Sequence, residues 1–391
     1  MIPYGRHQIT QDDIDTVVNV LKGDWLTGGA AVEAFETELG RQVQANHTIA
    51  CSNGTTALHL ALLALGVGSG DVVLVPAITF LASANAARYV GADVVFVDVD
   101  PKTGLMTAET LSAAIMAHKD KNLKAVVNVH LAGQVEKLKE IATVARKHNL
   151  KIIEDAAHAV GSVYTIDGTC YPVGANAFSD ITTFSFHPVK TIAMGEGGAI
   201  TTNDDALAKM MRLARSHGMV RHASEWLNDG ETGAWYYEMH DLGYNYRVSD
   251  INCALGLSQL KKLVTFKAQR QAMVDFYNQA FSANNIVQQI HHHEWSETAW
   301  HLYPVLIDFD QLGITRAELM EYLKKLGIGT QVHYIPLTHQ PYYKALYGEI
   351  MLPGAEAYYA KCLSLPLYVG VTRDDQQAVV DALTSFCGEK F

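Results

Sequence analysis

No stretch of the 391 residues approaches the about eighteen uninterrupted apolar positions that a bilayer-spanning helix requires, so no membrane span is expected. Cysteine is scarce. Cys51, Cys170, Cys253, Cys362 and Cys387 are odd in number, far apart and form no CxxC pair, which excludes a disulfide framework and suits a reducing compartment. Positive charge is in deficit, with 30 lysines and arginines against 41 acidic residues and a net charge of −11. That leaves no global electrostatic footprint for nucleic acid or an anionic membrane surface. The first fifteen residues carry Arg6, Asp12, Asp13 and Asp15 where a signal peptide would be apolar, so a cytoplasmic location is expected. Internal repeats and low-complexity linkers are missing, and no GxGxxG follows the first apolar run, which argues against a nicotinamide site. What is there is 49% apolar and 18% charged, a globular composition. The length suits one large or two modest domains.

Short, almost wholly apolar runs at 71–76, 94–99, 125–129, 151–154 and 181–186 read as buried strands. Longer periodic segments at 54–65, 81–90, 108–118 and 135–148 lie between them and read as helices. Alternation of this kind predicts right-handed βαβ units and a mostly parallel, doubly wound α/β sheet, with ligands outside the carboxyl ends of its strands. After about residue 250 the pattern changes. It predicts one long helix over 251–281, a strand at 300–307, a helix at 316–326 stopped by Gly327, a strand at 329–334 and a closing helix at 373–386. The expected division is a large α/β domain over 1–250 and a smaller α+β domain over 251–391.

Three constellations carry potential chemistry. Ser52-Asn53-Gly54-Thr55-Thr56 is a glycine turn opening a helix. It suits a phosphate, whereas Asn53, Thr55 or Thr56 could equally provide a plain N-cap. Glu154-Asp155-Ala156-Ala157-His158 follows an apolar run. Asp155, beyond the last pleat, could pair with a cationic ring nitrogen, cap the next turn or hold Mg²⁺. Ser185-Phe186-His187-Pro188-Val189-Lys190, followed by Gly195-Glu196-Gly197-Gly198, places a lysine in a turn after a buried strand. There it is either a solvated surface group or a desolvated amine able to act as a nucleophile. A phosphate turn, a strand-end aspartate and a lysine, in that order, are what bound pyridoxal phosphate needs. His291-His292-His293 invites a metal reading, but adjacent residues on a strand alternate faces, so an exposed polar loop and no metal site are expected. Met194, Met210 and Met211 read as packing residues.

Together with Gly243-Tyr244-Asn245-Tyr246-Arg247, these motifs resemble the DegT/DnrJ/EryC1/StrS family of fold-type I, pyridoxal-phosphate-dependent nucleotide-sugar aminotransferases. The resemblance runs from Trp25-Leu26-Thr27-Gly28 to the last helix. It implies that Lys190 holds the cofactor covalently and shuttles the proton, that Asp155 faces the pyridine nitrogen, and that His158 lies beside the phenolic oxygen. It further implies phosphate contacts from Thr55, Thr56 and Ser185, an aromatic cover of the ring from Phe80, and a phosphate contact from Asn245 of a second subunit. The expected unit is therefore a homodimer with shared active sites. Lysine rather than histidine at 190 favours transamination over dehydration. Arg215-Ser216-His217-Gly218-Met219, Trp300-His301-Leu302-Tyr303-Pro304 and Gln331-Val332-His333-Tyr334 are similar to members that aminate C4 of UDP-2-acetamido-2,6-dideoxy-β-L-arabino-hexos-4-ulose with L-glutamate in pseudaminic acid biosynthesis. Thr27, Arg247, His333 and Tyr334 are the candidate substrate contacts. Another UDP-, dTDP- or GDP-linked keto-sugar, or a non-catalytic regulator with the same fold, are the alternatives.

Overall fold

The five apolar runs become the parallel core of a seven-stranded sheet in the computed structural model, which describes residues 1–228, 233–282 and 286–388. The strands are β1 (His47–Cys51), β2 (Val72–Pro76), β3 (Asp93–Val97), β4 (Leu123–Val129), β5 (Lys151–Asp155), β6 (Ile181–Ser185) and β7 (Gly198–Thr202). Their order is β1-β7-β6-β5-β4-β2-β3. Only β7 is antiparallel to its neighbours, β1 and β6. Strands β2 and β7 are buried at every position, as expected of a sheet covered on both faces. Helices Gly54–Ala64, Leu81–Tyr89 and Ala108–Ala117 stand where the periodicity put them. The fourth begins three residues late, at Leu138, because Ala132 and Gly133 turn with φ of 61° and 96° and Gln134 leaves that turn extended.

The single long helix expected over 251–281 is two helices, Asp250–Leu260 and Leu263–Phe281. Tertiary charge pairing accompanies the break. Asp13 is fully buried, and a buried carboxylate is stable only with donors around it. At the break Lys262 reaches Asp13 at 2.8 Å and Asp12 at 2.9 Å, while Ser258 and Gln259 donate to the same Asp13 carboxylate at 2.6 and 2.8 Å. Helix Asp250–Leu260 packs against helices Gln11–Leu21 and Ala30–Val43, and Leu263–Phe281 then leads into a three-stranded antiparallel sheet of Val287–Gln289, Tyr303–Ile307 and Cys362–Leu365. The N-terminal residues lie with this smaller sheet. Ile2 bridges Ile328, and Leu367 N–H donates to the Tyr4 carbonyl at 3.1 Å.

Two strand boundaries differ from expectation. The strand at 300–307 starts at Tyr303, because the carbonyls of Trp300 and His301 accept hydrogen bonds from the buried Arg270 guanidinium, both at 3.2 Å. The segment 329–334 makes one bridge, Gln331 to Ser364, and then leaves the sheet, carrying His333 and Tyr334 toward the cavity described below. Cys51, Cys253 and Cys362 are buried and unpaired, and Cys170 is exposed; the side chain of Cys387 lies outside the described residues. Met194 and Met211 pack in the core, but Met210 is exposed. No helix among the described residues is long and apolar enough to cross a membrane.

Candidate active site

The carboxyl ends of β1, β5 and β6 open on a cavity of about 650 Å³. At one end β1 runs into helix Gly54–Ala64 through Asn53. The Asn53 side chain accepts from the Thr56 N–H at 2.9 Å, and the Thr56 hydroxyl donates back to the Asn53 carbonyl at 2.8 Å. This capping box uses Thr56, so its hydroxyl turns into the cap, and Thr56 is not among the residues that line the cavity. Gly54 and Thr55 line the cavity with first-turn N–H groups that have no partner inside the helix. A Cβ on Gly54 would stand 2.8 Å from the Ser185 Cβ, and one on Gly198 would stand 2.3 Å from the Asn53 carbonyl oxygen. Only glycine lets β6, β7 and the helix start meet this closely. The result is a cradle of amide N–H groups and the Thr55 and Ser185 hydroxyls at a helix N-terminus, which suits a phosphate.

Strand β5 ends in two carboxylates on opposite faces, as alternation requires. Glu154 points away from the cavity, where it meets the His130 ring at 2.7 Å and accepts from the Ser179 hydroxyl at 2.5 Å. Asp155 points into it. Its Oδ2 accepts from the Ser83 hydroxyl at 2.7 Å and its Oδ1 from the Ala157 N–H at 3.2 Å. Lys190 sits in the turn after β6, its N–H bonded to the His187 carbonyl at 2.8 Å and its side chain on the same cavity. Desolvation pulls its ammonium from 10.5 down to about 8, against the opposing charge of Asp155. Capture of an aldehyde by Lys190, trapped by borohydride reduction, should therefore rise about tenfold per pH unit as the neutral amine fraction grows. It should level off above a midpoint near 8. A midpoint at the ordinary lysine value would show that the amine is solvated.

His158 is buried, and burial, followed by the charges of Lys190 and His333, holds its pKa well below the ordinary histidine value. The neutral ring has one proton. Its Nδ1 accepts from the Ala132 N–H at 3.2 Å, so the proton resides on Nε2 and is donated to the Tyr334 hydroxyl oxygen, 3.2 Å away. The Tyr334 O–H is then left to donate into the cavity. His333 bonds the Ser364 hydroxyl at 2.8 Å, and burial pulls its pKa to about 3. Phe80, the residue before helix Leu81–Tyr89, presents an exposed ring at the cavity mouth, 6.1 Å from the Tyr334 ring.

Thr55, Phe80, Asp155, His158, Ser185, Lys190, His333 and Tyr334 are thus brought together. Thr27, Asn245 and Arg247 are not. They are exposed and lie apart from this cavity, Thr27 bridging Ser249 and Asn245 bridging Ser216. Tyr4 and His301 also line the cavity, and Ser83 bonds Asp155. The sequence carries no sign of Tyr4, only the helical i, i+4 spacing of Thr79 and Ser83 for Ser83, and His301 only as part of the segment 300–304, with no role attached. The histidine tract is not wholly exposed. His293 is buried, 2.9 Å from Glu136 and stacked on Trp295 at 4.4 Å, while His292 shares a hydrogen bond with Thr298.

The sequence profile of the DegT/DnrJ/EryC1/StrS aminotransferase family matches residues 7–384. Two relatives are each 38% identical over 385 residues, 98% of this chain. They are the spore coat polysaccharide biosynthesis protein SpsC of Bacillus subtilis, 96% covered, and the UDP-4-amino-4,6-dideoxy-N-acetyl-β-L-altrosamine transaminase of Campylobacter jejuni, 97% covered. Among solved structures, a putative sugar aminotransferase from Streptococcus pneumoniae in its PMP form superposes with a TM-score of 0.90 at 28% identity, covering 100% of both chains. Helicobacter pylori PseC, an aminotransferase of pseudoaminic acid biosynthesis, superposes with a TM-score of 0.89 at 28% identity, covering 99% of both.

Proposed function

This chain belongs to the DegT/DnrJ/EryC1/StrS aminotransferase family, and from that premise we propose that it transfers the amino group of L-glutamate to C4 of a UDP-linked 4-keto-6-deoxy hexose. The proposed acceptor is UDP-2-acetamido-2,6-dideoxy-β-L-arabino-hexos-4-ulose, and the proposed product is UDP-4-amino-4,6-dideoxy-N-acetyl-β-L-altrosamine, made for pseudaminic acid biosynthesis. The cofactor is pyridoxal 5′-phosphate, which when bound supplies an electrophilic aldehyde carbon and a protonated ring that takes up electrons. The observation that supports the reading most is the convergence of the Lys190 amine, the Asp155 carboxylate and the Gly54–Thr55–Ser185 cradle on one cavity.

The donor set fits the cofactor. The cradle would hold its phosphate, Asp155 would keep a proton on its ring nitrogen, and Phe80 would cover a ring face. Lys190, whose buried amine loses its own proton around pH 8, would accept a proton from the carbon bearing the glutamate nitrogen and return one to the sugar carbon. His158, locked in one tautomer, aims the Tyr334 O–H into the cavity, where it can donate to the cofactor's phenolic oxygen or to a sugar hydroxyl. His333 and Tyr334 are the proposed sugar contacts on this side.

The proposed unit is a cytoplasmic homodimer with shared sites. Asn245, Arg247 and Thr27 are exposed, and so are Trp25, Trp235 and Leu242, at 68%, 79% and 72%. Exposed apolar side chains of this size suit an interface. Under two-fold symmetry each chain would lend Asn245 to its partner's phosphate and Arg247 to the nucleotide diphosphate. A different nucleotide keto-sugar remains a second reading, because the spore coat relative is as similar as the altrosamine transaminase. Holoenzyme with L-glutamate and a panel of UDP-, dTDP- and GDP-linked 4-keto sugars, with products read by mass spectrometry, separates the two. The proposal expects the UDP-linked 2-acetamido sugar to be aminated fastest. Preference for a dTDP- or GDP-sugar would overturn the acceptor.

A further inference from the structure

Asp155 is held by an ordered chain of two hydroxyls on the segment that opens helix Leu81–Tyr89. Ser83 is fully buried, and its hydroxyl lies 2.7 Å from Asp155 Oδ2 and 2.7 Å from the Thr79 hydroxyl, itself buried. The proton directions are fixed by what each group can do. An ionised carboxylate only accepts, so the single Ser83 proton goes to Asp155, and the Ser83 lone pair must then accept from Thr79. The chain therefore runs Thr79 O–H to Ser83 O–H to Asp155. A donor on an ionised acceptor at this distance is among the stronger hydrogen bonds, and serial bonds in a buried setting reinforce one another.

The same segment does a second thing. Phe80 lies between Thr79 and Ser83, and the Ser83 N–H donates to the Phe80 carbonyl at 3.2 Å. Five consecutive residues thus place the ring-covering aromatic and the hydroxyl that orients the carboxylate on one rigid helix start. We infer that Ser83, oriented by Thr79, is a positioning residue of the reaction, one that fixes the Asp155 carboxylate against the ring nitrogen of the cofactor. The inference rests on the assignment of Asp155 to that nitrogen.

Without the Ser83 proton, one buried carboxylate oxygen loses its donor, and Asp155 is free to turn. Turning weakens its hold on the ring-nitrogen proton. A less cationic ring repels a proton on the lysine–cofactor linkage less, so that proton is held to higher pH. Ser83→Ala holoenzyme should therefore show the pH midpoint of its visible absorbance moved upward by about half a unit or more. Its kcat should fall about tenfold, with KM for glutamate and keto-sugar within about twofold, as expected when a charge-assisted bond is lost. Thr79→Val should move midpoint and kcat in the same direction by less, and Thr79→Ser, which keeps the hydroxyl, should restore both. Melting of the apo-protein reports folding. If Ser83→Ala does not fold, the Thr79 pair decides alone. An unmoved midpoint in folded Ser83→Ala, or equal behaviour of Thr79→Val and Thr79→Ser, would overturn the inference. Asp155→Asn, measured alongside, separates the two failures. If it shifts the midpoint while Ser83→Ala does not, only the relay is wrong. If neither shifts, Asp155 does not face the ring nitrogen.

Discussion

Lys190→Ala should lose turnover by at least about 10⁴-fold, since one side chain serves as both the covalent anchor and the proton carrier. The loss should come without unfolding. At neutral pH desolvation opposes the charged form of this amine more than Asp155 favours it, so the apo variant should melt no lower than the apo parent. Retention of a tenth of the activity would remove Lys190 from the mechanism. The same variant reports on the shared site. Mixed with an impaired Asn245→Ala chain, it should form heterodimers with one doubly defective and one intact site. Activity should then rise well above that of either parent. Confirmed heterodimers without recovery would place Asn245 in its own chain's site or in none.

Asp155→Asn, nearly isosteric, should cost about 10²- to 10³-fold in kcat, the range seen when a preorganised electrostatic group is removed. The amide oxygen can still accept from Ser83, but this orientation turns the Asn amide N–H toward the cavity, where a protonated ring nitrogen needs an acceptor. Asp155→Ala should be worse, leaving the buried Ser83 hydroxyl without its acceptor. Steady-state kinetics at saturating glutamate check this, and near-normal kcat in the asparagine variant would contradict the role given to Asp155.

The parallel strands β2 to β6 could be read directly because strands buried on both faces spell continuous apolar runs. Strands β1 and β7 could not, because their buried positions include Thr48, Thr201 and Thr202, which pass for surface residues in a sequence. Two of them are satisfied internally, the Thr201 hydroxyl donating to the Gly174 carbonyl at 2.9 Å and that of Thr202 to the Asp180 carbonyl at 2.8 Å. The break at Lys262 was hidden for a related reason, since its cause is Asp13, some 250 positions away in the chain. In the site, Lys190, Asp155, Ser185 and Thr55 stand in local motifs whose order suggests the chemistry. The cap made by Thr56 could not be told from a phosphate contact, because a threonine beside a phosphate turn and a threonine in a capping box look alike until the helix start is built. Tyr4, Ser83 and His301 reach the site only through tertiary approach.

The most direct measurement of the central claim is a two-step reaction of purified holoenzyme with nitrogen-labelled L-glutamate and then the UDP-linked 4-keto sugar. Glutamate alone should bleach the yellow absorbance with one equivalent of 2-oxoglutarate released per Lys190 site. The keto-sugar should then restore the colour and carry the labelled nitrogen on C4, located by nuclear magnetic resonance. Absorbance unchanged by glutamate, or label absent from the sugar, would contradict amino transfer through this site.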